Sequence, residues 1–155
     1  MIDKYAMQGK PVFSFAEPQI PALNFSFSGV KTSILYFLQD QMKINERFID
    51  ENLADICASI QHRIISILLN KLKKAAMQTG IKEVCLAGGV AANRGLRDSF
   101  KELGKTLGWN TYIPDFEYCT DNAAMIAMTG YYKFLAGDFS DLSISPTARA
   151  EWHKL

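Results

Sequence analysis

The stretch VCLAGGVAANRGLR, Val84 to Arg97, decides how the rest of the chain is read. The short apolar run from Lys82 to Ala87 is bounded by glycines, long enough for a buried strand and too short for a helix. Behind Gly88 and Gly89 a helical pattern opens over Ala92 to Leu107, with Leu96, Phe100, Leu103 and Leu107 at helical spacing and Gly108 as the stop. Trp109 to Ile113 alternates like a second strand and halts at Pro114. Two strands joined through a helix predict a right-handed, parallel crossover unit, and with it a helix-rich α/β fold.

Upstream, Leu53, Ile56, Cys57, Ile60, Ile64, Ile67 and Leu68 follow the template of a long amphipathic helix that Gly80 ends. Before it, Val30, Ile34, Leu38 and Met42 recur every four residues, which predicts a helix with Ser28 as its N-cap and a turn over Lys43 to Asn45. Residues 1–27 carry Pro11, Pro18 and Pro21 and read as an irregular opening segment, with short strands around Val12 to Phe15 and Asn24 to Phe27. Downstream, a last helix begins at or next to Asp121 and runs to Gly137, and 138–155 reads as an irregular tail.

At 155 residues and 48% hydrophobic content, the chain has the apolar material for one core, which predicts a folded protein. No apolar run approaches the roughly 18 to 20 residues that cross a bilayer. The start, Met1 to Lys4, lacks the pattern of a secretory signal, so the expectation is a cytoplasmic protein. Cys57, Cys85 and Cys119 are widely spaced, which predicts buried reduced thiols in place of a disulfide framework or a cysteine-built zinc site. The net charge of +1 conceals a basic middle: Gln61 to Lys105 holds nine Lys or Arg against three Asp or Glu. That stretch fits either a surface facing nucleic-acid phosphates or the solvated faces of two helices.

Taken locally, the candidate chemistry stays open. A glycine pair at a strand end lets a ligand approach backbone closely, and a following helix N-terminus offers free N–H groups, but a tight structural turn needs the same residues. The pattern is neither GxGxxG nor a Walker loop. Asp121 fits a helix N-cap or a metal ligand lacking partners, since His62 and His153 form neither HxxxH nor HExxH. Ser26, Ser28, Gly29, Lys31 and Thr32 form a polar helix start suited to an anion or simply to capping. Cys119 has no histidine base nearby in sequence.

Three stretches together are more specific. Phe25-Ser-Phe-Ser-Gly-Val-Lys-Thr32, Ala87-Gly-Gly-Val-Ala-Ala-Asn-Arg94 with Leu96-Arg97, and Tyr118-Cys-Thr-Asp-Asn-Ala-Ala-Met-Ile-Ala127 resemble, in order and separation, motifs of the tRNA adenosine threonylcarbamoyltransferase family, formerly called O-sialoglycoprotein endopeptidases or glycoproteases. The resemblance covers nearly the whole chain. It implies a partial second lobe of the fold shared by actin, Hsp70 and sugar kinases. It further implies that Gly88 and Gly89 approach a nucleotide, threonylcarbamoyl-AMP or ATP/AMP, that Asn93 hydrogen-bonds the substrate, and that Asp121 is a ligand of a catalytic iron or zinc.

The implied partners are tRNA and other proteins of the threonylcarbamoyladenosine pathway. The family's HxxxH pair, its Ser-Gly-Gly-His segment and its Asp-Asp-x-x-Gly-Glu segment are absent from this sequence. The resemblance therefore implies a C-terminal fragment, inactive alone and prone to self-association through uncovered sheet edges and helix faces. No residue is assigned as general base. A metal-dependent glycoprotease and a non-catalytic nucleotide-binding or interaction module are the alternatives, the first needing a metal-activated water and a base that this sequence does not supply.

Overall fold

The computed structural model describes residues 1–18 and 20–145. His153 and most of the tail expected over 138–155 lie outside them; 138–145 contain no helix or strand. The elements in order are α1 (Ile2–Ala6), α2 (Phe27–Ile44), α3 (Phe48–Thr79), β1 (Glu83–Cys85), α4 (Arg94–Leu107), β2 (Asn110–Tyr112) and α5 (Ala123–Leu135). The chain divides into two compact units, Met1–Thr120 and a second beginning at Asp121.

In the first unit, α3 is the spine. It runs for 32 residues, departs from helical dihedrals at Asn52, whose Nδ2 donates to Phe48 O at 2.9 Å, and stops at Gly80 in the left-handed region (φ 71°). Ala6, Cys57 and Ala58 form a small buried cluster between α1 and α3, flanked by Tyr5 and Leu53. Gly9 lies against the backbone of Ala54, where any Cβ would collide.

The opening segment corrects two expectations. It begins with the short helix α1, and the strands expected around Val12 to Phe15 and Asn24 to Phe27 do not form. Its backbone is satisfied by side chains of the helices instead of by a ladder. Lys10 N donates to Asp55 Oδ1 (2.8 Å), Phe13 N to Ser59 Oγ (3.0 Å) and Ala16 N to Ser33 Oγ (3.2 Å). Lys71 Nζ donates to the carbonyls of Ile20 (3.0 Å) and Ala22 (2.9 Å). Phe13 and Phe15 meet Phe37 of α2, and Phe13 also meets Phe48 of α3, at centroid distances of 5.2 to 5.5 Å, so aromatic packing fastens the segment to both helices.

The α2 start differs as well. Its N-cap is Ser26, with no side-chain capping bond, while Ser28 lies inside the helix and accepts at its carbonyl from Thr32 Oγ1 (3.0 Å). The helix extends to Ile44, past the turn expected from Lys43.

β1 and β2 pair in parallel with Glu83 opposite Asn110, Val84 opposite Thr111 and Cys85 opposite Tyr112. α4 connects them, as the strand-helix-strand pattern predicts. Phe100 is completely buried and Leu96 nearly so, which identifies the inner face of α4. The buried Gly104 sits on Thr111 Cγ2, closer than a Cβ at that position could allow. Of the three thiols, Cys57 and Cys119 are buried and Cys85 is exposed, so the expectation of buried thiols fails for Cys85; all three are free. Burial pushes the Cys57 thiol above its ordinary pKa.

In the second unit, α5 has Asn122 as its N-cap, with Oδ1 accepting from Met125 N (3.1 Å); Asp121, a candidate for that role from sequence, precedes the cap. Lys133 Nζ pairs with Asp138 Oδ2 at 2.9 Å, and Gly137 turns the chain at φ 70°. No helix of the described residues is long and apolar enough to cross a membrane.

Two predictions follow from the sheet and its helix. Gly104→Ala forces α4 away from Thr111 and lowers stability by about 1–3 kcal/mol; urea unfolding checks this, and adding Thr111→Ser recovers part of the loss because the colliding methyl is gone. The second concerns Glu83, which accepts hydrogen bonds from Tyr112 Oη (2.6 Å) and Asn110 Nδ2 across the strand pair. The Tyr112 bond, then the Asn110 bond, hold its carboxyl below the ordinary value. A depressed carboxylate pKa contributes stability above the unfolded value and loses it as pH falls through the folded one. The unfolding-midpoint difference between wild type and Glu83→Gln is therefore present at pH 7 and shrinks below about pH 4.5.

Candidate nucleotide site at the strand ends

Both parallel strands lead at their carboxyl ends, where open α/β sheets bind ligands, into connections that each contain a 3₁₀ turn. After β1 the chain reaches Gly88 at φ 84° and ψ 174°, a conformation that favours glycine, then makes a single 3₁₀ turn over Gly89–Ala92. After β2 it passes Pro114 and a second 3₁₀ turn, Phe116–Tyr118, and arrives at the buried Cys119.

A Cβ added at Gly88 or at Gly89 meets nothing within 4 Å. For Gly88 the dihedral alone explains the residue. Gly89 has no positive φ and no neighbour to avoid, so neither packing nor strain within the described residues requires a glycine there. Such a position leaves room for a ligand to approach the backbone closely; exposed Gly130 in α5 shares the lack of neighbours and of positive φ, and it is the place of Gly89 at the end of β1 that makes it the candidate.

Asn93 is the N-cap of α4. Its Oδ1 accepts from Leu96 N and its Nδ2 donates to Gln61 Oε1 on α3, each at 2.8 Å. The side chain therefore ties the glycine turn to two helices. One Nδ2 hydrogen and one Oδ1 lone pair remain beyond those two bonds, enough for contact with a substrate. Gly95, one position into α4, faces Gln61 and Ile65 so closely that a Cβ would lie 2.6 Å from Gln61 Nε2.

Arg97 stands within the second motif, which by itself gives it no role. Its Nε donates to Ala91 O (2.6 Å); one terminal nitrogen donates to Pro114 O (2.6 Å) and to Cys119 Sγ (3.1 Å). Its guanidinium carbon lies 4.0 Å from the centroid of the Phe116 ring. Nothing in the spacing distinguishes it from the other basic residues of the middle stretch. Four of those nine make ties beyond their own helix: Arg63 with Glu17 (3.6 Å), Lys71 with the opening segment, Arg94 with Met7 Sδ (3.6 Å), and Arg97. Lys73, Lys74, Lys82, Arg94, Lys101 and Lys105 are exposed.

Asp121 lies in the second unit, exposed, directly before the α5 cap. Among the described residues no group of three His, Cys, Asp or Glu side chains could hold a metal ion, so Asp121 does not by itself fit a metal centre. At the polar start of α2 the cap is Ser26, and Gly29 packs against Pro18, where a Cβ would lie 2.7 Å from the ring. That glycine has a packing explanation which Gly89 lacks.

Comparison with known proteins gives a consistent answer. A family model described as TsaD, tRNA N6-adenosine threonylcarbamoyltransferase, matches residues 1–128. Proteins of that name from Christiangramia forsetii and Riemerella anatipestifer are each 52% identical to this chain, over 96% and 97% of its length. One from Phocaeicola vulgatus is 54% identical over 90% of it. The chain spans 44%, 45% and 41% of the lengths of these relatives.

Asn93→Ala removes the cap and the link to Gln61 together, and costs about 1–2 kcal/mol of stability in thermal or urea unfolding. Asn93→Asp keeps the capping acceptor, and Gln61 can turn its amide to donate to the new carboxylate, so that variant stays close to wild type.

Proposed function

The chain belongs to the tRNA N6-adenosine threonylcarbamoyltransferase family, and from that premise we propose that it carries the nucleotide-holding part of a threonylcarbamoyl transfer site. The donor is threonylcarbamoyl-AMP, and the acceptor is the exocyclic amine of the adenosine next to the anticodon of tRNAs reading codons that begin with A. The architecture in this reading is part of the second lobe of the fold shared by actin, Hsp70 and sugar kinases. The parallel pair joined through α4, with the glycine turn at the carboxyl end of its first strand, supports it.

The open face of Gly89 is the observation that carries the proposal. The adenylate rests on the turn at Gly88 and Gly89, and Asn93 offers its remaining hydrogen-bonding capacity to the ligand. In the transfer the amine attacks the carbamoyl carbonyl carbon, the bond from that carbon to the phosphate oxygen breaks, and AMP leaves as a stabilised anion while the amine proton passes to solvent. Holding the adenylate in one orientation supplies the positional part of the rate enhancement. Asp121 would contribute one ligand to an iron or zinc whose remaining ligands lie outside the described residues. The acceptor tRNA and the other proteins of the same modification pathway are the partners this reading implies, in the cytoplasm.

Calorimetry with AMP tests the platform. The chain binds AMP, and Gly89→Ala, whose added Cβ meets nothing within 4 Å in the unliganded protein, keeps the wild-type unfolding temperature while losing at least about tenfold in affinity, or ~1.4 kcal/mol. Equal affinity in the variant, or no binding by the wild type, overturns the assignment.

A further inference from the structure

The two connections at the strand ends are not held together by the sheet, whose ladder ends at Leu86 and Tyr112 with a bond from Leu86 N to Tyr112 O (2.9 Å). Beyond that bond the glycine turn and the loop after β2 run separately, and the side chain of Arg97 reaches both. On one side it takes the carbonyl of Ala91, a fully buried residue of the glycine turn. On the other it takes the carbonyl of Pro114, the sulfur of Cys119 and the face of Phe116, all from the loop after β2. Two of the acceptors are backbone carbonyls, so the bridge fixes main chain to main chain. None of the ion pairs among the described residues involves Arg97. The hydrogen bonds that its Nε and one terminal nitrogen make go to the two segments, and no carboxylate among the described residues pairs with it.

We propose that Arg97 is a positioning residue: its planar fork sets the separation of the glycine turn and the loop after β2, and through it the shape of the surface that receives the nucleotide. The nucleotide part of this statement rests on the function proposed above; the bridge itself does not. A guanidinium presents donors on two edges and a flat face at once, which a lysine ammonium cannot reproduce at the same reach. Substitution by lysine therefore preserves the charge and breaks the bridge.

Hydrogen exchange read by mass spectrometry, on the wild-type chain and on Arg97→Lys and Arg97→Gln, tests the bridge; thermal unfolding verifies that each variant is folded. Both variants are expected to exchange about tenfold faster over 89–93 and over 115–119 together, the loss of one charge-assisted hydrogen bond converted to a local opening constant. The amides of α3 between 59 and 70 are expected to stay unchanged. AMP affinity by calorimetry falls by about tenfold in both variants. Loosening of only one segment, or wild-type protection in Arg97→Lys, overturns the bridge. Loosening of both with wild-type AMP affinity overturns the positioning role. Absence of AMP binding by the wild type overturns the proposed function for this chain, and the exchange rates then decide the bridge by themselves.

Discussion

Close approach between elements is the constraint on which the first unit depends. At four places a missing Cβ lets one element touch another: Gly9 against Ala54, Gly29 against Pro18, Gly95 against Gln61 and Ile65, and Gly104 against Thr111. These contacts join the opening segment to α3 and to α2, α4 to α3, and α4 to β2. Protein interiors are packed densely enough that even one added methyl must be accommodated somewhere. Because α4 is held at van der Waals distance from both α3 and β2, the turn that precedes it has little freedom. The glycine pair presents its backbone to solvent from a supported position.

The polar ties follow the same economy. Asn93 serves at once as helix cap and as the link to Gln61, while Arg97 spans two loops. Lys71 and Ser59 bind an opening segment that has no ladder of its own. Each connects main chain of irregular structure to a helix, where a backbone group left unpaired costs about as much as a lost hydrogen bond. The basic middle of the chain is therefore a mixture of internal ties and exposed lysines, and its charge count overstates what faces solvent.

Much of this was legible beforehand. The strand-helix-strand core was readable because period and punctuation agree there: apolar run, glycines, apolar positions at helical spacing, glycine, strand, proline. The stop at Gly80 is equally plain. Where several serines compete, local rules misplace the cap, as with Ser28 against Ser26 at α2, because the cap bond that would discriminate them is not made. The strands expected near Val12 and Asn24 failed for a different reason. Their phenylalanines are hydrophobic anchors for α2 and α3, and alternation of apolar residues does not reveal whether the backbone finds a partner strand or a serine side chain.

Sequence by itself determined the order of elements in the core, the parallel class of the strand pair, and the family, through three motifs in a fixed order. These are local or linear properties, set by periodicity, by chain punctuation and by spacing. Only the tertiary structure decided that Gly89 is free of internal constraint while Gly29 and Gly104 are not, that Asn93 is shared with α3, and that Arg97 joins two loops. Each of those facts depends on which atoms from distant parts of the chain come within a few ångströms. A one-dimensional pattern carries no such distance, so chemically identical glycines and arginines acquire different roles only when the chain is packed.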